Sequence, residues 1–187
     1  MENILTLVML AVLLFPSLAS SEEVKWNDLV QREGLYYKKF TDMPFTGEIT
    51  GQTRGHLTDG VKDGPWIRYW NNGQLHYKRS YKDGVEDGLF LMYWQSKHLR
   101  LEGFYRDGME KGPWVSYHEN GQLHYKSSYN DGVKDGHWVA YWADGQLMYK
   151  GSYKDGMEDG PWVGYNEDGT VNEKYTGTFK DGVKISD

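Results

Sequence analysis

One spacing constrains this chain more than any other feature. Gly60, Gly84, Gly108, Gly132 and Gly156 stand 24 residues apart, each inside a near-copy of "YKDGMEDGPWVGY". Gly64, Gly88, Gly112, Gly136 and Gly160 keep the same step. So do Trp66, Phe90, Trp114, Trp138 and Trp162, and so do Tyr69, Tyr93, Tyr117, Tyr141 and Tyr165. Five copies in register mean a repeat architecture, in which each unit buries its apolar surface against its neighbours. A closing "FKDGVK" brings Gly182 two residues late.

Each unit carries two turn signals with short aromatic runs between them. Asn72-Gly73, Asn120-Gly121, Asp144-Gly145 and Asp168-Gly169 read as two-residue hairpin turns of type I′, which need positive φ at both central residues. The double Asp-Gly element reads as a wider connection. Its two glycines are expected at left-handed positions, with the Asp side chains bonding nearby backbone N–H groups. Every connection is local, so the predicted fold is all-β, an antiparallel meander of repeated hairpins. With Asn72-Gly73 as the turn, Trp70 faces Leu75, Arg68 faces Tyr77 and Trp66 faces Arg79, while Ile67 and Tyr69 point to the other face. Repeat two departs: Phe90 replaces Trp, and "QSKHLRLEGF" lacks the Asn-Gly turn. The fifth repeat carries a two-residue insertion in "GTVNEKYTGT".

The N-terminal third is different. Ile4 to Phe15 is apolar except for Thr6, Pro16 follows, and Ser17 and Ala19 stand as small residues before a cleavage point. This reads as a secretory signal peptide over residues 1–19, too short to span a bilayer. Residues 20–56 read as a capping segment: a short amphipathic helix ended by Gly34, then a hairpin of Leu35 to Lys39 against Phe45 to Thr50. Residues 57–187 hold the five repeats and a terminal half-repeat.

The pattern Tyr-x-x-Gly-x-x-x-Gly-x-Trp-x-x-Tyr-x-x-x-Gly resembles the MORN-repeat variant family and, more narrowly, the bacterial YwqK-family antitoxins. The resemblance runs from about Asp28 to Gly182. It implies an elongated hairpin array that binds proteins or phospholipid headgroups, and the narrower likeness implies neutralisation of a toxin partner.

Chemistry is sparsely marked. The net charge is −6, with 21 basic residues spread among 27 acidic ones, which argues against nucleic acid as a partner. There is no cysteine, and no nucleophile elbow, phosphate loop or dinucleotide fingerprint, so neither an enzyme nor a cofactor is expected. The acids Asp59, Asp63, Asp83, Asp87, Asp107, Asp131, Asp135, Asp155 and Asp159 recur because the turn recurs. They lack a calcium-loop pattern, and Lys111 breaks their series. The histidines (His56, His76, His98, His118, His124, His137) follow no zinc spacing. The variable position after the repeat Tyr is the more telling one: Trp70, Trp94, His118, Trp142, Asn166. A sealed core does not take Asn, so Trp70, Trp94 and Trp142 are expected to form an exposed, partner-binding aromatic stripe. The expected role is an exported protein-binding scaffold of the cell envelope. Its alternatives are an antitoxin or immunity protein, and a phospholipid-headgroup or choline-type binder at a membrane surface.

Overall fold

The computed structural model describes residues 22–187; the expected signal peptide lies outside them. The repeats form one antiparallel meander. In each, a strand bearing the repeat Trp (Gly112–Tyr117, Gly136–Tyr141) pairs with the strand that follows it (Leu123–Asn130, Leu147–Lys154). That strand pairs onward with the next Trp strand, as Tyr125 with Ala140. Two strands per repeat at normal sheet spacing give an advance of roughly 10 Å per unit.

The two turns exchange the roles expected from their sequences. The Asp-Gly pairs are the tight ones. Asp83 (φ 51°) and Gly84 (φ 83°) are both left-handed, and Lys82 pairs directly with Val85, as in a type I′ hairpin. The second glycine of the element, Gly88 at φ 115°, opens the strand Gly88–Tyr93 that carries Phe90, where the register against the preceding strand shifts. The turn at Asn72-Gly73 is the wider one. Only Gly73 has positive φ, and Trp70 N–H donates to the Gln74 carbonyl at 2.7 Å. This is a three-residue loop with glycine in the left-handed bulge position. The side-chain bonds expected in the Asp-Gly element are found here: Asn72, Asn120, Asp144 and Asp168 Oδ1 each accept the N–H two residues on.

The bulge corrects one predicted pair. Trp66 faces Arg79 and Arg68 faces Tyr77 as expected, but Tyr69, not Trp70, pairs with Leu75, because the register shifts after Arg68. Repeat two keeps the wide turn without an Asn-Gly: Lys97 takes the left-handed position at φ 73°, with Trp94 N–H bonded to the His98 carbonyl.

Among its described residues the N-terminal segment holds no α-helix. Glu23–Lys25 is a strand, Trp26–Asp28 a 3₁₀ turn, and Leu29–Arg32 pairs with Leu35–Lys38. The hairpin therefore closes at Glu33-Gly34, whose φ values of 49° and 83° match the Asp-Gly turns. Gly34 is a turn glycine rather than a helix stop. Gly47–Thr50, expected opposite Leu35 to Lys39, instead pairs with Thr53–Thr58 and, in parallel, with Glu23–Lys25. This cap carries the most conventional core, with Val24, Leu29, Phe45, Ile49, Leu57 and Trp66 packed together. The far end closes with Gly177–Lys180 against Val183–Ser186.

Candidate functional site

Register and alternation assign each side chain to one of two faces. On the first face Trp66, Phe90, Trp114, Trp138 and Trp162 form a ladder, 2 to 8% exposed although a single sheet lies beneath them. Each ring lies over one residue of the preceding strand: Gly55, Gly103 and Gly151 under Trp66, Trp114 and Trp162. A Cβ added at Gly103 or Gly151 would stand 2.2 or 2.1 Å from the indole, so these positions need glycine for space and not for φ. The same repeat position carries Ser127 and, on the strand preceding Phe90, Arg79. The Arg79 guanidinium lies 4.9 Å from the Phe90 ring centre and pairs with Glu86. The Phe of repeat two thus answers the Arg beneath it.

Tyrosines wall the ladder on both sides. Tyr105 and Tyr129 stand edge-on to Trp114, Tyr153 stands edge-on to Trp138 and Trp162, and Tyr125 stacks on Trp138 at 5.0 Å. One repeat position decides what each aromatic box holds. Where it is lysine, the ammonium occupies the box: Lys62 Nζ lies 5.1 Å from the Trp66 ring and 4.7 Å from Tyr81, and Lys134 Nζ 4.0 Å from Trp138 and 4.8 Å from Tyr153. Burial lowers the pKa of both lysines. Where that position is glutamate (Glu86, Glu110, Glu158), a carboxylate stands beside the rings. Burial first, and then the Glu158 charge, push the Tyr153 phenol up to about 12.

At the last repeat this face opens. The two-residue insertion lifts the chain off the sheet between Val171 and Gly177, where a turn closes with Tyr175 N–H on the Asn172 carbonyl at 3.0 Å. Tyr175, 42% exposed, folds back over Tyr149 at 6.1 Å. The result is a pocket of about 370 Å³. Its walls include Trp142, Tyr149, Tyr153, Trp162 and Tyr175, with Glu158 and Glu167.

The tryptophans expected as an exposed stripe lie on this same face and are half-buried. Trp70 stacks on His76 at 3.6 Å, and Arg100 covers Trp94 at 4.3 Å. Trp142 and Met148 both line the pocket. The His118 of this series lies 4.3 Å from His124, and Asn172 bonds Asn166 at 2.8 Å, so these two, like Trp70 and Trp94, meet the residue six positions on. The indole N–H of Trp94 donates to the Tyr117 carbonyl, while those of Trp70 and Trp142 are buried without a partner. The turn glycines Gly60, Gly84, Gly108, Gly132 and Gly156 bind the repeats together: each N–H donates to a carbonyl of the preceding unit, as Gly84 to Lys62 at 2.8 Å. Gly64, Gly88, Gly112, Gly136 and Gly160 all have positive φ.

The second face was not resolved by sequence reasoning, although the period was enough to find it. Tyr69, Tyr93, Tyr117 and Tyr141 pair in register with Leu75, Leu99, Leu123 and Leu147. Beside them runs a second row, Ile67–Lys78, Leu91–Glu102, Val115–Lys126 and Val139–Lys150. The Tyr and Leu side chains are partly exposed; Arg54, Lys78, Lys126 and Lys150 are exposed. In an acidic protein this is a basic, aromatic-lined strip. Among the described residues all strands but one two-stranded hairpin lie in a single sheet, and the described core clusters involve only the first face.

The MORN repeat variant family model matches residues 62–83, 110–131 and 134–155, three segments of the repeat array. No curated protein matches the chain. Among the solved structures that match, one of a GtfA/B complex bound to UDP and GlcNAc does so at 11% identity over 82% of this chain, with a TM-score of 0.23. The match covers 26% of that chain, and so slight a likeness carries no argument.

Proposed function

We propose that this protein is a non-enzymatic repeat scaffold that binds a protein partner through its second face, in the cell envelope or outside it. The observation that carries the reading is the row of Tyr-Leu pairs, one per repeat, partly exposed on that face. Aromatic residues at regular intervals, flanked by exposed cations, suit recognition of an extended protein surface. Repeats of this kind often bind proteins or membranes. The apolar stretch from Ile4 to Phe15 supplies the export signal in this reading.

The test is affinity capture from an envelope extract with the wild-type chain and with a Tyr141→Thr, Leu147→Thr variant of one registered pair. The reading expects a partner retained by the first and lost by the second, with a fall in melting temperature of only about 2–4 °C. A captured partner with nuclease or deaminase activity supports the immunity form of the reading. Flotation with anionic vesicles, and no face-dependent protein partner, supports the headgroup form and overturns the protein-binding one.

A further inference from the structure

The repeat position Lys62, Glu86, Glu110, Lys134, Glu158 treats its aromatic box in three ways. Lys62 and Lys134 fill theirs with their own ammonium. Glu86 faces Arg79, whose guanidinium lies over Phe90 and Tyr77. Three of the five units thus place one of the chain's own cations against their rings. Beside Glu110 and Glu158 stand glycines, Gly103 and Gly151, at the position that carries Arg79 beside Glu86. Of these two, the Glu158 unit is the one the fifth-repeat insertion opens into a pocket.

That pocket is walled by π faces and carboxylates. Its lining holds Glu158 and Glu167 and no Lys or Arg, and Glu158 forms no ion pair with a side chain among the described residues. Lys134, from the neighbouring unit, lies against Trp138 and Tyr153 and feels the Glu158 charge without forming an ion pair with it. A volume of about 370 Å³ is small for a drug-sized ligand and ample for a compact cationic head. Rings carry their negative potential on their faces and attract an ammonium there, most strongly where water is excluded.

We infer that the pocket between Tyr149, Tyr153, Trp162 and Tyr175 binds an organic ammonium group supplied from outside the chain, its charge balanced by Glu158. The group does there what the Lys134 ammonium does one repeat earlier. It rests on different residues and on the opposite face from the proposed protein-binding strip, so either can fail without the other.

The test follows the indole N–H resonances of Trp142 and Trp162 during titration. The probes are choline chloride, Nα-acetyl-lysine methylamide and the uncharged choline isostere 3,3-dimethylbutan-1-ol. The expected result is a saturable shift with at least one cation, and about tenfold weaker binding of the isostere, as a cation–π site of ordinary strength gives. Tighter binding of choline points to a free quaternary amine or a choline headgroup, and tighter binding of the lysine derivative to a protein side chain. Glu158→Lys puts an internal ammonium in the box, as Lys134 does, and should weaken cation binding about tenfold or more without lowering the melting temperature. Glu110→Lys, the same substitution two repeats away, should leave it unchanged. If Glu158→Lys disturbs folding, Glu158→Gln must still weaken binding. No saturable shift, equal binding of isostere and cation, or undiminished binding by the Glu158 variants overturns the inference.

Discussion

Gly103→Ala is the substitution that most sharply separates space from backbone conformation. Gly103 lies in the strand Leu99–Arg106 at an ordinary φ, so alanine there should by itself gain about 0.5–1 kcal/mol. Packing opposes that gain. The new Cβ would stand 2.2 to 2.5 Å from Trp114 Cδ2, Cε2 and Cε3, and Trp114 is 4% exposed. The ring must move by more than 1 Å, or the strand must. Expelling it would forfeit roughly 150–250 Å² of burial, about 4–6 kcal/mol at 25 cal/mol per Å². A smaller adjustment is open to it. Trp138 already lies over Ser127, stacked nearly flat on Tyr125 and Tyr149, whereas Trp114 stands edge-on to Tyr105 and Tyr129. Overpacking absorbed in that way costs about 1–3 kcal/mol, so after the propensity gain the net loss should be about 1 kcal/mol. That is a fall in melting temperature of about 2–4 °C for a chain of this size. Urea unfolding followed by tryptophan fluorescence measures it. Pairing Gly103→Ala with Trp114→Phe, the smaller ring already used over Arg79, should show a favourable coupling of about 1 kcal/mol or more. A stabilised Gly103→Ala would refute the reasoning, because only the strand-propensity gain would then be operating.

Three further outcomes are expected. Lys97→Gly relieves the one side chain held left-handed in the wide turns and should stabilise the chain by about 1 kcal/mol in the same unfolding assay. Gly156→Val, at φ 83° with its Cβ 3.2 Å from Val133, should cost about 2 kcal/mol or more, whereas Asp155→Asn, at a φ both residues accept, should stay within about 0.5 kcal/mol; the reverse order would bring a charge network back into play. Burial raises the phenols of Tyr81, Tyr105, Tyr125, Tyr129 and Tyr149, and Tyr153 reaches about 12. A folded-state pKa above the unfolded one gives stability that is complete below about pH 10 and is lost as pH rises through the folded value, so phenolate absorbance and unfolding should rise together between about pH 10 and 12.

The 24-residue step made the meander legible, because only a stack of identical units asks for the same glycine and tryptophan that often. The turn types were exchanged for a local reason. An Asn-Gly pair satisfies either a two-residue or a three-residue loop, and only the backbone of Asn72 distinguishes them. Arg-Glu-Gly-Leu at residues 32–35 hid a hairpin because glutamate is an unusual occupant of the left-handed position taken by Asp elsewhere. Trp70, Trp94 and Trp142 were expected as an exposed stripe because Asn166 shares their repeat position, and they lie half-buried instead. Their partners His76, Arg100 and Met148 fall on the same face only because of the bulge, which no alternation rule shows. Gly55, Gly103 and Gly151 kept the period in plain view, and their meaning depended on which ring lay above them. The end pocket depends on where two inserted residues leave the sheet, and that is a property of the folded chain.

The account divides the sheet into a face that holds it together and a face that meets a partner. Trp138→Ala and the Tyr141→Thr, Leu147→Thr pair, measured side by side for melting temperature and partner capture, test that division most directly. The account predicts that Trp138→Ala loses about 3–5 kcal/mol of stability, while the second-face pair loses capture with only the small stability change expected of cross-strand substitutions, about 1 kcal/mol. Retained capture by the second-face pair, or a Trp138→Ala variant as stable as wild type, would contradict it.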